Sequence, residues 1–398
     1  MRRVFVLTVH YLPIAGSQST RVAKLLKYLP MHGWIPTIVS ASADPIFGAD
    51  PSLRAEIPSD ATVVRVGTSQ NPVGKLLATA RVPDHISAWT PEAIRIALTL
   101  LRKKNHDVLA SFSFPPSSHV AGLGVHLRTS LPWLADFSDP WMNNPYAGRT
   151  PRWRQLVGAY LQSAVLSHAR RIGFTTAEFR DYVDRSNRDI RRKTVLLPNS
   201  AEGREFESIP LKRRENESFV VAHVGSLYGL RQPTKLLEAF SHFTQNHPKA
   251  RAKLRLVGTW RPLRADVRKA RDEIANVEII GAVPRALALE YMLAADVLAL
   301  IDPSPFEPGI FLPTKLIEYM MSGRPILALS VRGPVWDLVA KYDAGIAVRF
   351  DDVDQIANAL ETLYLKRNAT FARNIRNLHE FEAVSVSERL AVALNEIS

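Results

Sequence analysis

The chain of 398 residues contains no cysteine, which excludes disulfides, thiolate zinc sites and cysteine nucleophiles together. Nowhere does it hold the ~18–20 consecutive apolar residues that a membrane-spanning helix needs. Its eleven histidines form no cluster and no HExxH pattern, so most are expected to be surface or core residues. The P-loop pattern and GxGxxG are both absent, which removes the usual nucleoside-triphosphate and dinucleotide fingerprints. The 27 prolines form no low-complexity tract, and no repeat of fixed period is present. Basic clusters fall at 102–104, 188–193, 212–214 and 251–271 without interleaved aromatics, and no helix-turn-helix or RNA-recognition signature occurs. Nucleic acid is therefore not an expected partner.

What is present describes a globular chain, with 46% hydrophobic and 22% charged residues, long enough for two cores. The opening MRRVFVLTVHYLP imitates a signal peptide, but its apolar run breaks at His10 without a small-residue cleavage site. It reads as a first buried strand, and a cytoplasmic protein is expected. A net charge of +13 calls for a partner of opposite sign, either phosphorylated substrates or an anionic membrane surface. The cations Arg102–Lys104, Arg152, Arg154, Arg170 and Arg171 flank apolar helical segments, which suits residence on the inner face of a membrane.

Apolar runs alternate with helical periodicity throughout. VFVLTV, PTIVSA, VVRV, DVLASFS, PWLADFSD, RIGFTTA and KTVLLPN are separated by segments with apolar residues three and four apart. The polar, patternless ESIPLKRRENE at 207–217 reads as a linker, after which FVVAHVG, KLRLVG, VEIIG, DVLALID, PILALS and GIAVRF repeat the same grammar. Buried strands separated by helices imply two doubly wound α/β domains, over 1–206 and 218–380, with a helix at 381–398 placed to pack back on the first. Sheets of this kind bind ligands at the C-terminal ends of their strands.

Four loops at such ends carry chemistry. HYLPIAGSQSTR places Gly16 before a helix start, where a phosphate can approach backbone N–H groups, although an ordinary capped turn fits as well. SLYGLRQPTK follows Gly225 and offers Arg231 and Lys235, cations suited to a diphosphate. DPSPFEPGIF carries Glu307 and runs into LPTKLIEYMMSGRP, in which Leu316, Ile317, Met320 and Met321 form the core face. Thr314 can cap that helix, Gly323 ends it, and Lys315 and Glu318 stand opposite the core face. ADFSDPWMNNP offers Asp136, Ser138, Asp139, Trp141 and Asn143, residue types that contact sugars. Two carboxylates three residues apart also suit a metal, and Asp139 before Pro140 equally suits a turn.

These segments together resemble the retaining GT-B glycosyltransferases of family 4. The resemblance rests, in chain order, on VLLPNSAEGREF, VVAHVGSLYGLRQPTKLLEAF, LRLVG, VEIIGAVP and PTKLIEYMMSGRPIL, preceded by FPPSSHVAGLG and PWLADFSDPW. It implies a GT-B fold, two doubly wound Rossmann-like domains facing a cleft, with the acceptor bound by 1–206 and the nucleotide sugar by 218–380. By the same resemblance Glu318 holds the donor ribose and Arg231 the diphosphate, with Lys235 and Lys315 as further cations read from the loops themselves. Gly16, Gly225 and the segment Gly309, Ile310, Phe311, Leu312 and Thr314 complete the donor site. Ser138, Asp139 and Glu307 are the catalytic candidates; Asp136, Trp141 and Asn143 the acceptor candidates. The sequence departs from the family pattern at three places. Ile310 stands eight positions before Glu318, with seven residues between them, where a second glutamate is usual; Ser226 replaces a second phosphate-binding Arg; Ser138 precedes Asp139 where His is usual. The expected reaction is transfer from a UDP- or GDP-sugar to a carbohydrate or lipid-linked acceptor in bacterial glycan assembly, with no cofactor and no required metal. A non-hydrolysing sugar-nucleotide epimerase and a non-catalytic GT-B-like binding protein are the alternatives.

Overall fold

The computed structural model describes residues 1–43, 48–144, 150–184, 190–209, 218–261, 274, 276–367 and 375–398. They divide into two compact units, Met1–Ser200 with Ala383–Ser398, and Ala201–Glu382.

The first unit is built on β1 (Arg2–Thr8), β2 (Trp34–Ala41), β3 (Thr62–Val66), β4 (Val108–Ser113), β5 (Trp133–Phe137), β6 (Arg171–Phe174) and β7 (Thr194–Leu196). All neighbours pair in parallel, in the order β3-β2-β1-β4-β5-β6-β7. Every residue of β4 and β5 is buried, as strands covered on both faces must be, so both are mostly apolar, with Ser111, Ser113 and Asp136 buried among them. Strand order reverses between β1 and β4, so their C-terminal ends form the switch point of this sheet. The last helix, Ala383–Asn395, belongs here. Val386, Leu390 and Leu394 join a core with Leu25, Leu26 and Trp34, Ser387 Oγ donates to Leu25 O at 2.9 Å, and Trp34 Nε1 donates to Asn395 Oδ1 at 3.1 Å.

The second unit contains β8 (Val220–Val224), β9 (Leu227–Tyr228), β10 (Lys253–Val257), β11 (Trp260–Arg261), β12 (Val277–Ile280), β13 (Val297–Asp302), β14 (Ile326–Ser330) and β15 (Gly345–Arg349). Six form a parallel sheet in the order β12-β10-β8-β13-β14-β15, and β9 pairs with β11 beside it. One core holds Val224, Leu316, Ile317, Tyr319, Met320 and Met321; the other holds Leu237, Phe240, Leu254 and Leu360. The reversal lies between β8 and β13.

Two features differ from the sequence reading. The first unit ends at Ser200 rather than 206, because Ala201 and Phe206 sit in the second unit's core and Ala201 bridges to Glu382. The segment between β3 and β4 holds two helices, Pro72–Ala80 and Trp89–Leu101, where a simple alternation of strand and helix implied one. Most of the expected linker, 210–217, lies outside the described residues.

Candidate functional site

In the second unit β8 pairs with β13 only at Val221 and Ala222, so beyond that point the two strand ends are no longer bonded to each other. The Tyr319 hydroxyl takes the place of a strand partner, accepting from Val224 N–H at 2.8 Å and donating to Val224 O at 3.1 Å. Burial raises this phenol well above its usual pKa and keeps it a neutral donor. Gly225 follows at φ 145°, a backbone that side-chain-bearing residues rarely adopt. A Cβ there would also overlap Lys315 Cε and Nζ, because the Lys315 stem lies across the glycine. Its ammonium reaches Ser226 O at 3.4 Å. Burial lowers the Lys315 pKa from the usual 10.5 to about 8, and the positive charge of Arg231 pushes the same way against Glu318 and Asp302.

Arg231 is held from two sides. Its Nη2 donates to Asp302 Oδ1 at 2.8 Å, Nη1 donates to the Tyr228 hydroxyl, and the guanidinium lies 5.2 Å from the Tyr228 ring centroid. Asp302 ends β13 and is buried. Two cations thus stand together at the switch point of this sheet, with Asp302 hydrogen-bonded to Arg231. His223, two residues before Gly225 on β8, donates Nδ1–H to Ala299 O at 2.8 Å. Burial, reinforced by Lys315 and Arg231, lowers its pKa to about 3, so it adds no charge.

Lys315 and Glu318 lie on the helix Thr314–Ser322, which opens after Pro313 with no side-chain cap and ends at Gly323 with φ 68°. Thr314 is therefore the first helical residue, not its cap. The helix is also less two-faced than expected, since Glu318 and Ser322 are buried along with the apolar positions. Glu318 is not a lone carboxylate. Arg285 Nη1 donates to Glu318 Oε1 at 2.6 Å, and its Nη2 donates to Glu205 Oε2 at 2.8 Å. Burial pulls the Arg285 guanidinium down, but the two carboxylates outweigh it and the net direction is up. Arg285 and Asp302 were absent from the sequence reading. Asp302 carried the same signal as Asp139, a carboxylate at the end of a buried strand before proline; Arg285 carried none.

Other expected donor residues are placed elsewhere. Lys235 forms an i,i+3 pair with Glu238 at 2.8 Å, both side chains half-buried on their helix. Glu307 is exposed and pairs with Arg349 at 2.9 Å. The Gly309 N–H, expected to meet the donor, already donates to Arg332 O at 2.7 Å. Ile310, Phe311 and Leu312 are buried.

In the first unit Gly16 precedes the helix Ser17–Lys27 at φ 131°, at the C-terminal side of β1. Gln18 Nε2 from that helix donates to Ser113 O at 2.7 Å, joining the two sides of the switch point. The Ser138 hydroxyl accepts from Phe114 N–H at 3.0 Å and donates to Asp139 Oδ2 at 3.1 Å, which fixes the half-buried Asp139 beside the end of β4. Trp141 is half-buried and Asn143 exposed. Asp136 is a correction. It has no accessible surface, and both its oxygens accept from Arg21 Nη2 at 2.9 Å, so it is not placed to touch an acceptor. Arg21 also donates to Leu197 O and Pro198 O, pinning the first helix to the segment after β7. Among the described residues no group of three or more His, Asp or Glu could hold a metal ion.

Residues 16–200 match the family model described as a glycosyl transferase 4-like domain, and residues 218–366 match glycosyl transferases group 1. No curated protein sequence matches the chain. Among solved structures, the chain is similar to a glycosyltransferase from Rickettsia africae, with a TM-score of 0.73 and 14% identity over 100% of this chain and 98% of that one. It is similar to Anabaena HepE, solved with UDP-glucose, with a TM-score of 0.69 and 15% identity over 100% of each chain. A putative UDP-N-acetylglucosamine 2-epimerase from Listeria monocytogenes gives 0.64 and 11% over 99% and 96%.

Proposed function

Because the chain is a glycosyltransferase of the GT-B architecture, we propose that its second unit binds a UDP- or GDP-sugar and that the sugar is passed, with retention, to a carbohydrate or lipid-linked acceptor in bacterial glycan assembly. One observation carries this reading. Gly225, Arg231 and Lys315 gather at the β8/β13 switch point, with the Glu318 carboxylate on the same helix as Lys315. Two cations beside a strand end without a Cβ suit a diphosphate, and a carboxylate suits the two hydroxyls of a ribose. HepE was solved with UDP-glucose, which supports a nucleotide-sugar ligand for this fold.

In this reading the diphosphate is the leaving group, and Lys315 and Arg231 stabilise the negative charge that gathers on it as the glycosidic bond breaks. Asp302 and Tyr228 hold Arg231 in place, so little reorganisation is needed when that charge develops. Arg285 orients Glu318 toward the ribose. The role assigned elsewhere to a metal cation falls here to side chains, and activity is expected to persist in EDTA. Ser138 and Asp139 remain catalytic candidates, with Trp141 and Asn143 the candidates for contact with the acceptor. The protein is expected to work in the cytoplasm at the inner face of the membrane, where a lipid-linked acceptor would lie. Among the described residues no helix is long and apolar enough to cross a membrane.

Titration calorimetry with a panel of UDP- and GDP-sugars, followed by product analysis, tests the reading. Tight binding of one donor with transfer or slow hydrolysis supports it; conversion of the sugar at C2 identifies an epimerase instead. Absence of binding to every nucleotide in the panel would overturn the donor site. An anomeric coupling constant in the product opposite to the donor's would overturn retention.

A further inference from the structure

The helix Arg152–His168 of the first unit is unusually bare. Of its seventeen residues only Gly158, Val165 and Leu166 are buried. Its exposed face carries Trp153, Leu156, Val157 and Tyr160, spaced three, four and seven apart, with Leu156 73% and Tyr160 74% exposed. Two turns of large apolar side chains therefore form one continuous stripe in solvent. Packing inside the unit does not account for it, because the helix rests on its other face, where Gly158 meets Met142 and Trp141.

The charges around the stripe say what covers it. The helix contains no Asp or Glu, and its first turn, where acids are favoured, carries Arg152 and Arg154 instead. Cations at a helix N-terminus oppose the helix dipole, so they are disfavoured unless an external anion meets them. The Arg154 guanidinium lies 5.3 Å from the Trp153 ring centroid, the pairing of an interfacial aromatic with a cation. At the other end Lys193 Nζ donates to Ser167 O at 3.1 Å, which brings a further cation to the helix C-terminus, and exposed Arg170 follows. An apolar stripe with Trp and Tyr, cations at both ends and no acid matches a bilayer surface with anionic headgroups. A second copy of the chain fits poorly, since a two-fold contact would set these cations against themselves.

We infer that the Arg152–His168 helix is the membrane-docking element of this protein, lying in the headgroup region with Trp153, Leu156 and Tyr160 inserted and Arg152, Arg154 and Lys193 on lipid phosphates. The inference rests on the reading of a lipid-linked acceptor and specifies which surface meets the membrane. Vesicle co-sedimentation tests it on the full chain. Wild type should bind vesicles of equal phosphatidylcholine and phosphatidylglycerol at low salt, ignore pure phosphatidylcholine, and weaken steeply as salt screens the surface. The double variant Leu156→Gln/Tyr160→Gln should bind the mixed vesicles at least tenfold more weakly, with unchanged nucleotide-sugar affinity by calorimetry. Both side chains are exposed, so folding should survive, and an unchanged melting transition verifies it. Retained vesicle binding by that variant would overturn the proposal, as would equal indifference of wild type to both vesicles. A dimer of wild type in sedimentation velocity, lost in the variant, would also overturn it by showing a second copy on the stripe. Failure of the donor site is read separately, since a protein that binds no nucleotide still passes or fails the vesicle assay.

Discussion

Lys315→Met should make the protein more stable and a worse donor binder at once. The ammonium lies partly buried against Gly225, near Arg231, with Ser226 O at 3.4 Å as a long-range acceptor. Lowering its pKa from 10.5 to about 8 corresponds to roughly 3 kcal/mol of penalty on the charged form. Partial access to water lowers that, and a gain of about 1–3 kcal/mol at pH 7 is expected from Met, which keeps the length of the stem. For a unit of this size that is about 2–4 °C per kcal/mol in the melting temperature. The sign follows from proton linkage. Between pH 8 and 10.5 the unfolded chain holds the Lys315 proton and the folded chain has released it, so wild-type stability rises with pH across that window. The advantage of Met is therefore full below pH 8 and gone above about 10.5. Removing the cation should meanwhile weaken nucleotide-sugar binding about tenfold to a hundredfold, the loss of one charge-assisted hydrogen bond. Thermal melts at pH 7 and pH 10, with calorimetry at pH 7, decide it. A variant that is less stable than wild type at pH 7, or that binds every donor as well, would refute the reasoning.

Other outcomes follow from the same geometry. Donor affinity of wild type should fall as pH rises above about 8, by up to tenfold per unit, as free Lys315 loses its proton; a flat profile from pH 7 to 9.5 in calorimetry would remove Lys315 from the diphosphate. Gly225→Ala should abolish donor binding without unfolding the protein, because the new Cβ displaces Lys315. Arg285→Ala leaves Glu318 and Glu205 without their shared cation and should cost about 1–3 kcal/mol in stability and about tenfold in donor affinity, with Arg285→Lys recovering part of both. Glu307→Gln, at an exposed ion pair, should change activity less than threefold; a hundredfold loss would give it the catalytic role that the family pattern suggests.

The sequence by itself determined the two α/β halves, since parallel strands buried on both faces read as predominantly apolar runs and VFVLTV, DVLASFS and DVLALID say so without context. It also determined where to look, because ligand loops follow such strands. Gly225, Arg231, Lys315 and Glu318 were all legible, each a glycine, cation or carboxylate just beyond an apolar run or on the helix that follows one. What it could not supply is pairing over distance. Asp136 and Asp139 look alike as letters, yet one is sealed against Arg21 while the other stays half-buried beside Ser138. Strand order, and with it the meeting of Arg231 with Asp302, depends on which face each connecting helix crosses, and no local pattern encodes that. Arg285 joins Glu318 and Glu205 from 33 and 80 residues away. Only the tertiary structure decides that meeting, because a charge can be judged a ligand or a brace only when the group it faces is known.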